Sequence, residues 1–173
     1  MLKKIRLAYK CSKDSTVDGP GLRIVVWTQG CVHNCKECHN PETHDLKAGY
    51  LEDIDNVIDY INQAKMQRGI TLSGGEPFLQ PLELVPIAQA AKKRGMDVWS
   101  FSGYTYEQIL KSPKKRKLLE ELDVLVDGKF VIEEKDTRLR YKGSKNQRII
   151  DVQQSLQEGR LVLSIYDESN QNI

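Results

Sequence analysis

Residues 22–38 read LRIVVWTQGCVHNCKEC, and they join an apolar run to a cluster of cysteines. Residues 22–28 are rich in β-branched and aromatic side chains and have glycines on both sides, which predicts a buried strand. Cys31, Cys35 and Cys38 follow directly, with no fourth cysteine nearby. Three thiolates at this spacing can hold three corners of one metal centre and leave a further coordination position open. The stretch therefore predicts a strand that carries a reactive metal site at its carboxyl end.

Further strands and helices are expected along the rest of the chain. Apolar side chains recur at helical spacing at Ile54, Val57, Ile58 and Ile61. The residues from about 52 to 66 are therefore expected to form an amphipathic helix. By similar patterns we expect strands at 70–73, 96–101 and 123–127, helices at 82–94, 105–111 and 114–121, a charged mobile loop at 129–146, and late strands at 149–150 and 161–165.

This alternation predicts an α/β fold built from parallel βαβ units. A chain of 173 residues is too short for a closed eight-stranded barrel, which needs about 200 residues or more. We therefore expect residues 1–173 to form a single domain with an open, partial parallel β/α barrel. In such folds ligands bind at the carboxyl ends of the strands. The motifs that suggest chemistry follow four predicted strands, at Cys31, Ser73-Gly74-Gly75, Ser102-Gly103 and Asp127-Gly128-Lys129.

The charge balance argues against some classes of partner. The chain has 26 lysines and arginines against 24 aspartates and glutamates, and a net charge of +2 favours neither nucleic acid nor a membrane surface as the main partner. The basic run at 111–117 is expected to be a solvated loop and helix start. The sequence lacks an apolar run near the ~20 residues of a membrane span, and its start does not resemble a signal peptide. We expect a cytoplasmic protein whose thiols stay reduced.

The residue pattern alone leaves two metals open at the cysteine cluster. His33, His39 and His44 lie beside the cysteines, so a structural Cys3His zinc site is one candidate. Zinc sites of this kind usually pair two ligand couples across a spacer, and a zinc site would not explain the glycine-rich strand ends. The pattern favours an iron–sulfur cluster, with zinc as the alternative. Cys11 stands apart and is expected to be a free or partly buried thiol.

The cysteines and a later glycine pair form a combined motif. Cys31-x3-Cys35-x2-Cys38 followed by Ser73-Gly74-Gly75-Glu76-Pro77 resembles the radical S-adenosylmethionine (SAM) superfamily. The resemblance implies that the three cysteines bind one [4Fe–4S] cluster per chain, whose fourth iron takes the amino and carboxylate groups of SAM. It also implies that these cofactors carry the chemistry, while the protein positions them.

Four further segments narrow the resemblance: the first is similar to the entry segment of glycyl-radical activating enzymes, and the other three are similar to one family of them, the activating proteins of anaerobic (class III) ribonucleotide reductases. They are 17–23 (VDGPGLR), 101–107 (FSGYTYE), 123–130 (DVLVDGKF) and 143–151 (GSKNQRIID). The resemblance, which runs from about residue 5 to residue 155, implies reductive cleavage of SAM to methionine and a 5′-deoxyadenosyl radical. That radical would take a hydrogen atom from a glycine of the reductase's large subunit. The implied partners are that large subunit, reduced flavodoxin or ferredoxin as electron donor, and a second copy of the chain in a homodimer.

Two strand ends are expected to hold the methionine part of SAM. By the resemblance, Gly74, Gly75 and Glu76 hold its amino group at the edge of the sheet. Ser100 and Ser102, at the end of the next strand, are expected to touch its polar part. The glycine pair would let the backbone approach a ligand closely, because no Cβ atom stands in the way.

The remaining contacts with SAM are expected on two other loops. Lys129 follows the fourth strand and is expected to reach the SAM carboxylate. The chain departs from the superfamily just before the third cysteine, where an aromatic residue often lies against the adenine and Glu37 stands here. The backbone around Glu37, Cys38 and His39 is then expected to make that contact. The reaction needs no general acid or base, so no catalytic side chain of that kind is expected.

Three other functions remain alternatives at this point. They are activation of another glycyl-radical protein such as pyruvate formate-lyase, action on a small molecule by the same radical chemistry, and a non-catalytic zinc-binding module. The roles of Asp18 and Arg23 are also open, since these residues either pair structurally or face the partner protein.

Overall fold

A computed structural model describes residues 3–172 of the chain, in which one eight-stranded sheet packs against helices. The strands are β1 (Lys4–Leu7), β2 (Ser12–Ser15), β3 (Arg23–Thr28), β4 (Tyr50–Asp53), β5 (Gly69–Gly74), β6 (Asp97–Phe101), β7 (Val124–Asp127) and β8 (Arg148–Asp151). The helices are α1 (Ile54–Asn62), α2 (Pro81–Lys93), α3 (Tyr106–Leu110), α4 (Pro113–Leu119) and α5 (Val152–Glu158). Within the described residues, none of the helices is both long enough and apolar enough to cross a membrane.

The parallel part of the sheet lies at its centre. The strand order is β4-β1-β3-β5-β6-β7-β8, and β2 pairs with β3 as well. Strands β3, β5, β6 and β7 run parallel, whereas β1, β4 and β8 are antiparallel to their neighbours. The order ends at β4 on one side and at β8 on the other, so the sheet stays open. The expected α/β fold with an open, partial parallel β/α barrel is confirmed.

The two faces of the sheet pack against different partners, because successive side chains of a strand point to opposite faces. The outer face meets the helices in a large apolar core, which includes Ile24, Val26, Ile70, Leu72, Leu84, Ala88, Val98 and Leu125. The inner face carries a smaller cluster around Trp99, whose ring lies 5.2 Å from that of Tyr141 and 5.5 Å from that of Tyr166, both edge-to-face. Residues from the last third of the chain thus cover the inner face.

Arg23 fills the amino-terminal end of the inner face. Its buried side chain donates to Thr71 Oγ1 at 2.8 Å, pairs with Asp97 at the start of β6, and lies 5.6 Å from the centre of the Trp99 ring. The Thr71 hydroxyl in turn donates to the backbone oxygen of Asp18 at 2.8 Å. Of the two roles left open by the sequence, Arg23 therefore has the structural one.

Two expected elements differ in the structure. The strand expected at 161–165 is wrong, because this segment contributes one isolated bridge, between Leu163 and Ile150. The helix expected over 52–66 is shorter and spans Ile54–Asn62. Its expected first residues belong instead to β4, which pairs in antiparallel register with β1. A strand and a helix thus meet at Asp53 without a connecting loop.

The charged segment 129–146 is packed more closely than we expect of a mobile loop. Lys142 is buried, and its Nζ lies 2.5 Å from Glu168 Oε1 and 3.7 Å from Asp167 Oδ2. Ser144 is also buried, and its hydroxyl accepts a hydrogen bond from the backbone N–H of Val131 at 3.2 Å. The Lys142 contacts join the segment to the end of the chain, and the Ser144 contact holds the segment together.

Candidate functional site

The loop that carries the cysteines leaves β3 and is fastened at its base. We refer to residues 31–42 as the cysteine loop. The backbone N–H of Gly30 donates to Thr43 O at 2.7 Å, and that of Cys31 donates to His44 O at 3.1 Å. The side-chain amide of Gln29 donates to Asp45 O at 2.7 Å. These hydrogen bonds hold the two ends of the loop together at the sheet edge from which the loop emerges.

The backbone turns sharply inside the cysteine loop. Asn34 and Glu37 have left-handed φ angles of 51° and 60°, which residues other than glycine rarely adopt. Backbone strain of this kind clusters at functional sites. The two turns fall between consecutive cysteines, so they set the direction in which each thiol leaves the chain.

Cys31, Cys35 and Cys38 are free, half-buried thiols that line one cavity of about 370 Å³. We call it the cysteine cavity. Its lining comprises Asp18, Trp27, Cys31, His33, Cys35, Cys38, His39, Asn40, His44, Ser73, Gly74, Gly75, Glu76, Phe101, Ser102, Gly103, Gly128, Phe130, Gly143 and Gln147. Apart from Asp18, which precedes β3, these residues come from the carboxyl ends of the parallel strands and the loops that follow, as the sequence predicts.

The surroundings of the cysteines affect both their protonation and their hydrogen bonding. Burial raises the pKa of the Cys31 thiol, and the nearby Glu76 carboxylate adds to this effect. The backbone N–H of Asn40 points at Cys38 Sγ from 3.5 Å. Hydrogen bonds to ligand sulfurs are one of the means by which proteins tune iron–sulfur centres.

The turn after β5 lies directly against the base of the cysteine loop. The backbone N–H groups of Gly75 and Glu76 donate to Thr28 O and Gly30 O, both at 2.8 Å. A Cβ atom added to Gly75 would stand 2.4 Å from Gly30 O and 2.8 Å from Thr43 O. Only glycine fits at position 75, because any side chain would force these two backbone segments apart.

The Glu76 side chain points into the protein and is 1% exposed. Its carboxylate accepts hydrogen bonds from the backbone N–H of Phe78 at 2.9 Å and of Gly103 at 2.7 Å. The Ser102 hydroxyl lies 3.0 and 2.9 Å from its two oxygens. His33 Nε2 lies 2.6 Å from Glu76 Oε1. The carboxylate therefore has partners on three loops of this chain.

The other expected SAM-binding residues fall in three places. Ser102 lines the cysteine cavity. Ser100 is fully buried, and its hydroxyl donates to the neighbouring Phe101 O at 3.1 Å, so it lies behind the wall of the cavity. Lys129 is exposed and lines an adjoining cavity of about 470 Å³, which shares Gly103 and Gly128 with the first.

An aromatic pair that the sequence left partly unrecognised faces the cysteines. The rings of His39 and Phe130 lie 5.0 Å apart in edge-to-face geometry, and both line the cavity. Glu37, in contrast, is exposed and lies outside the lining. Phe130 is the last residue of the VDGKF segment. Because this segment leads out of β7, the sequence could have placed Phe130 at this edge of the sheet.

The three thiols that line one cavity are a donor set that a [4Fe–4S] cluster can use. Within residues 3–172, no three His, Cys, Asp or Glu side chains converge closely enough to bind one metal ion. Zinc requires donors about 2.0–2.3 Å from one point. A [4Fe–4S] cluster binds each thiolate at a different iron, so its ligands lie further apart. Three cysteines that line one cavity can offer one thiolate to each of three irons.

Comparison with known proteins gives the same cofactor class. Residues 17–150 match the family described as a 4Fe-4S single cluster domain. The chain is 37% identical over 142 residues to the anaerobic ribonucleoside-triphosphate reductase-activating protein of Vibrio cholerae, which covers 77% of this chain and 90% of the relative. It is 34% identical to the proteins of the same name from Escherichia coli K12 (76% and 89% covered) and Enterobacteria phage T4 (77% and 86%).

A solved structure shares the fold. QueE from Escherichia coli aligns with a TM-score of 0.50 over 72% of this chain and 71% of that chain, at 13% sequence identity. At this identity the likeness concerns the fold alone, and it agrees with an open partial barrel. The cluster-domain match and the named relatives both extend over most of the chain. The chain therefore belongs to the family of anaerobic ribonucleoside-triphosphate reductase-activating proteins.

Proposed function

We propose that this chain activates an anaerobic ribonucleoside-triphosphate reductase by generating a glycyl radical on its large subunit. The observation that carries the proposal is one open cavity in which Cys31, Cys35 and Cys38 face the Gly74-Gly75 turn. The cavity lies at the carboxyl edge of the parallel strands, where ligands bind in such folds. The names of the relatives in the same family support this choice of partner.

The proposal requires a [4Fe–4S] cluster on the three cysteines and SAM beside it. The volume of about 370 Å³ falls within the range of small-molecule sites, about 300–1,000 Å³. When bound, the cluster supplies the electron that cleaves SAM, and SAM supplies the radical that removes a hydrogen atom from glycine. The protein's part is to hold the thiols, orient SAM and keep water from the reacting atoms.

His39 and Phe130 are proposed to hold the adenine. Both rings line the cavity, and an aromatic face stacks on any nucleobase. His39 was already part of the sequence-based expectation. The Phe130 side chain, from the loop after β7, takes the place of the Glu37 backbone in this contact.

The SAM amino group is a hydrogen-bond donor and needs acceptors. The N–H groups of Gly75 and Glu76 already donate to Thr28 and Gly30. The proposed acceptors are therefore the backbone carbonyl oxygens of the Gly74-Gly75 turn. The absence of a Cβ atom at both positions lets the turn pack closely on the backbone of Thr28 and Gly30, and both glycines line the cavity.

Lys129 is proposed to bind the SAM carboxylate. Its adjoining cavity shares Gly103 and Gly128 with the cysteine cavity, so a long, flexible side chain at this position can reach across the shared wall. Ser102 lies on the same wall, where its hydroxyl is held by Glu76. Ser100 has no part in the proposal, because it is fully buried behind that wall.

The chain is proposed to work in a reducing cytoplasm, in which half-buried thiols stay free for the metal. Its proposed electron donor is reduced flavodoxin or ferredoxin, and its proposed assembly is a homodimer. The open partial barrel supports a protein loop as substrate, since it admits one more easily than a closed barrel would.

The test begins with protein purified without oxygen. Iron and sulfide near four each per chain and a brown colour bleached by dithionite are expected. Addition of SAM, reductant and the reductase large subunit should then produce 5′-deoxyadenosine and a glycyl radical signal in electron paramagnetic resonance. Pyruvate formate-lyase, added in place of the reductase, should give no such signal. One zinc and no iron, or a radical on pyruvate formate-lyase alone, would overturn the proposal.

A further inference from the structure

Glu76 joins loops that are far apart in the sequence. Its carboxylate contacts His33 on the cysteine loop, Phe78 in its own turn, and Ser102 with Gly103 after β6. A carboxylate has two oxygens and about four acceptor positions. The donors from this chain already use that capacity, so the ammonium group of SAM would have to displace one of them. A displaced donor would then be buried without a partner, which is costly.

We propose that Glu76 is a positioning residue, which shapes the cysteine loop through His33 instead of binding SAM through its carboxylate. His33 lies between Cys31 and Cys35 in the sequence, so an anchor at its ring fixes the path of the chain at both thiols. The inference rests on the proposed function only in naming the cluster as the ligand that the loop receives.

His33 is enclosed on two further sides, which gives its ring one position. Its side chain is 5% exposed, and its ring meets that of Tyr104 edge-to-face at 4.5 Å. A Cβ atom added to Gly103 would stand 2.3 Å from the His33 ring. The same residue, Gly103, thus donates to Glu76 and leaves the space that the histidine ring fills.

The groups that hold Glu76 are all parts of this chain, and the proposal predicts that they do so in the apoprotein as well. The loop is therefore shaped before the cluster arrives, and that can be measured on the apoprotein. Hydrogen exchange at the amides of residues 31–38 reports how often the loop opens.

The test compares Glu76→Gln, His33→Ala and the double variant. Each single change should speed exchange over residues 31–38 by at least about tenfold and should shorten the time for which a chelator leaves the cluster intact. The double variant should be no worse than either single variant, because the two side chains form one interacting pair. His33→Gln, which keeps an N–H donor near the position of Nε2, should restore part of the protection.

SAM affinity separates the two roles of Glu76. In the fraction of Glu76→Gln protein that holds a full cluster, the Kd for SAM should stay within about threefold of the unchanged protein. A Kd raised more than about tenfold, with loop exchange and cluster lifetime unchanged, would overturn the inference and make Glu76 a SAM ligand. Glu120→Gln, at an exposed carboxylate paired with Arg116, is the matched control and should alter none of the three readouts.

These experiments distinguish a loss of folding from a loss of the proposed contact, and both from a loss of function. Should Glu76→Gln fail to fold, His33→Ala carries the same comparison of loop exchange against SAM affinity, with His33→Gln as its rescue. Faster loop exchange in a protein that never activates a reductase would support the role of Glu76 while contradicting the proposed function. Unchanged exchange and cluster lifetime in His33→Ala would contradict the role of Glu76 whatever the reductase assay shows.

Discussion

Arg23 and Asp97 form an ion pair across the amino-terminal end of the half-barrel, with Arg23 Nη2 2.5 Å from Asp97 Oδ1. The arginine side chain has no exposed surface, and the aspartate side chain is 26% exposed. The pair joins the first residue of β3 to the first residue of β6 across β5, which lies between them. It therefore fixes two strands whose opposite ends lead into the cysteine loop and the Ser102-Gly103 loop.

Asp97→Ala should destabilise the apoprotein by about 3 kcal/mol, because it leaves the buried Arg23 charge without its carboxylate. Urea unfolding followed by circular dichroism measures the change. Glu120→Ala, which breaks the exposed Arg116–Glu120 pair, is the control and should cost at most about 0.5 kcal/mol. Equal losses for the two variants would show that the Arg23–Asp97 pair is no more important than a surface pair.

Cys35→Ala should abolish cluster assembly and SAM cleavage while leaving most of the fold intact. Two thiolates cannot replace three at the corners of one cluster. Iron and sulfide analysis, with circular dichroism for the fold, measures the outcome. Cys11→Ala is the control and should keep its iron, since Cys11 lies outside the cysteine cavity. A Cys35→Ala protein that still cleaves SAM would refute the ligand assignment.

Phe130→Ala should weaken SAM binding by about tenfold or more, because stacking of a base on an aromatic ring contributes about 1–3 kcal/mol. Phe130→Tyr keeps the ring and should bind SAM nearly as well as the unchanged protein. Titration of the cluster-loaded protein with SAM gives both affinities. If alanine and tyrosine have the same small effect, the adenine lies elsewhere.

Gly75→Ala should both destabilise the protein and reduce its iron content. The new Cβ atom would stand 2.4 Å from Gly30 O, so the turn and the base of the cysteine loop must separate. Gly95→Ala is the matched control: its Cβ atom would meet nothing within 4 Å, so only the φ angle of 75° opposes it. Gly95→Ala should therefore cost about 1–2 kcal/mol of stability and leave the iron content unchanged. Normal iron content in Gly75→Ala would contradict the close fit.

Cys11 should react slowly with alkylating agents at pH 8. Burial raises the pKa of its thiol to about 11, so very little of the reactive thiolate is present in the folded protein. Unfolding in urea removes this effect and should speed alkylation of Cys11 by at least about tenfold. Mass spectrometry of the alkylated peptide measures both rates. Equal rates in the folded and unfolded states would show that the thiol is exposed.

The central strands of the fold could be predicted from sequence because each is a short apolar run that parallel pairing buries on both faces. Their shared orientation also placed the cysteines, the Gly74-Gly75 turn and the Ser102-Gly103 loop at one edge. The antiparallel strands β1, β2 and β4 were missed. Ser12–Ser15, for example, is wholly polar, and it forms a strand only because β3 offers a partner.

The direction of the Glu76 side chain could not be predicted from its motif. That motif places the residue after β5, but the donors that turn its carboxylate inward stand 43 residues earlier, at His33, and 27 residues later, at Gly103. The strand predicted at 161–165 was wrong because here too distant contacts decide the local structure. Its apolar side chains, such as Leu161, pack against the core from an irregular segment.

The hydrogen bonds at the base of the cysteine loop also order events during synthesis of the chain. A chain that has emerged from the ribosome as far as Cys38 carries all three thiols but none of the residues after β5 or β6. Gly30 and His33 meet Glu76 only once that later segment has been translated and has folded onto β3. Iron that reaches the nascent chain earlier finds three thiols without a shaped loop, so we expect productive metal delivery to follow folding of the sheet.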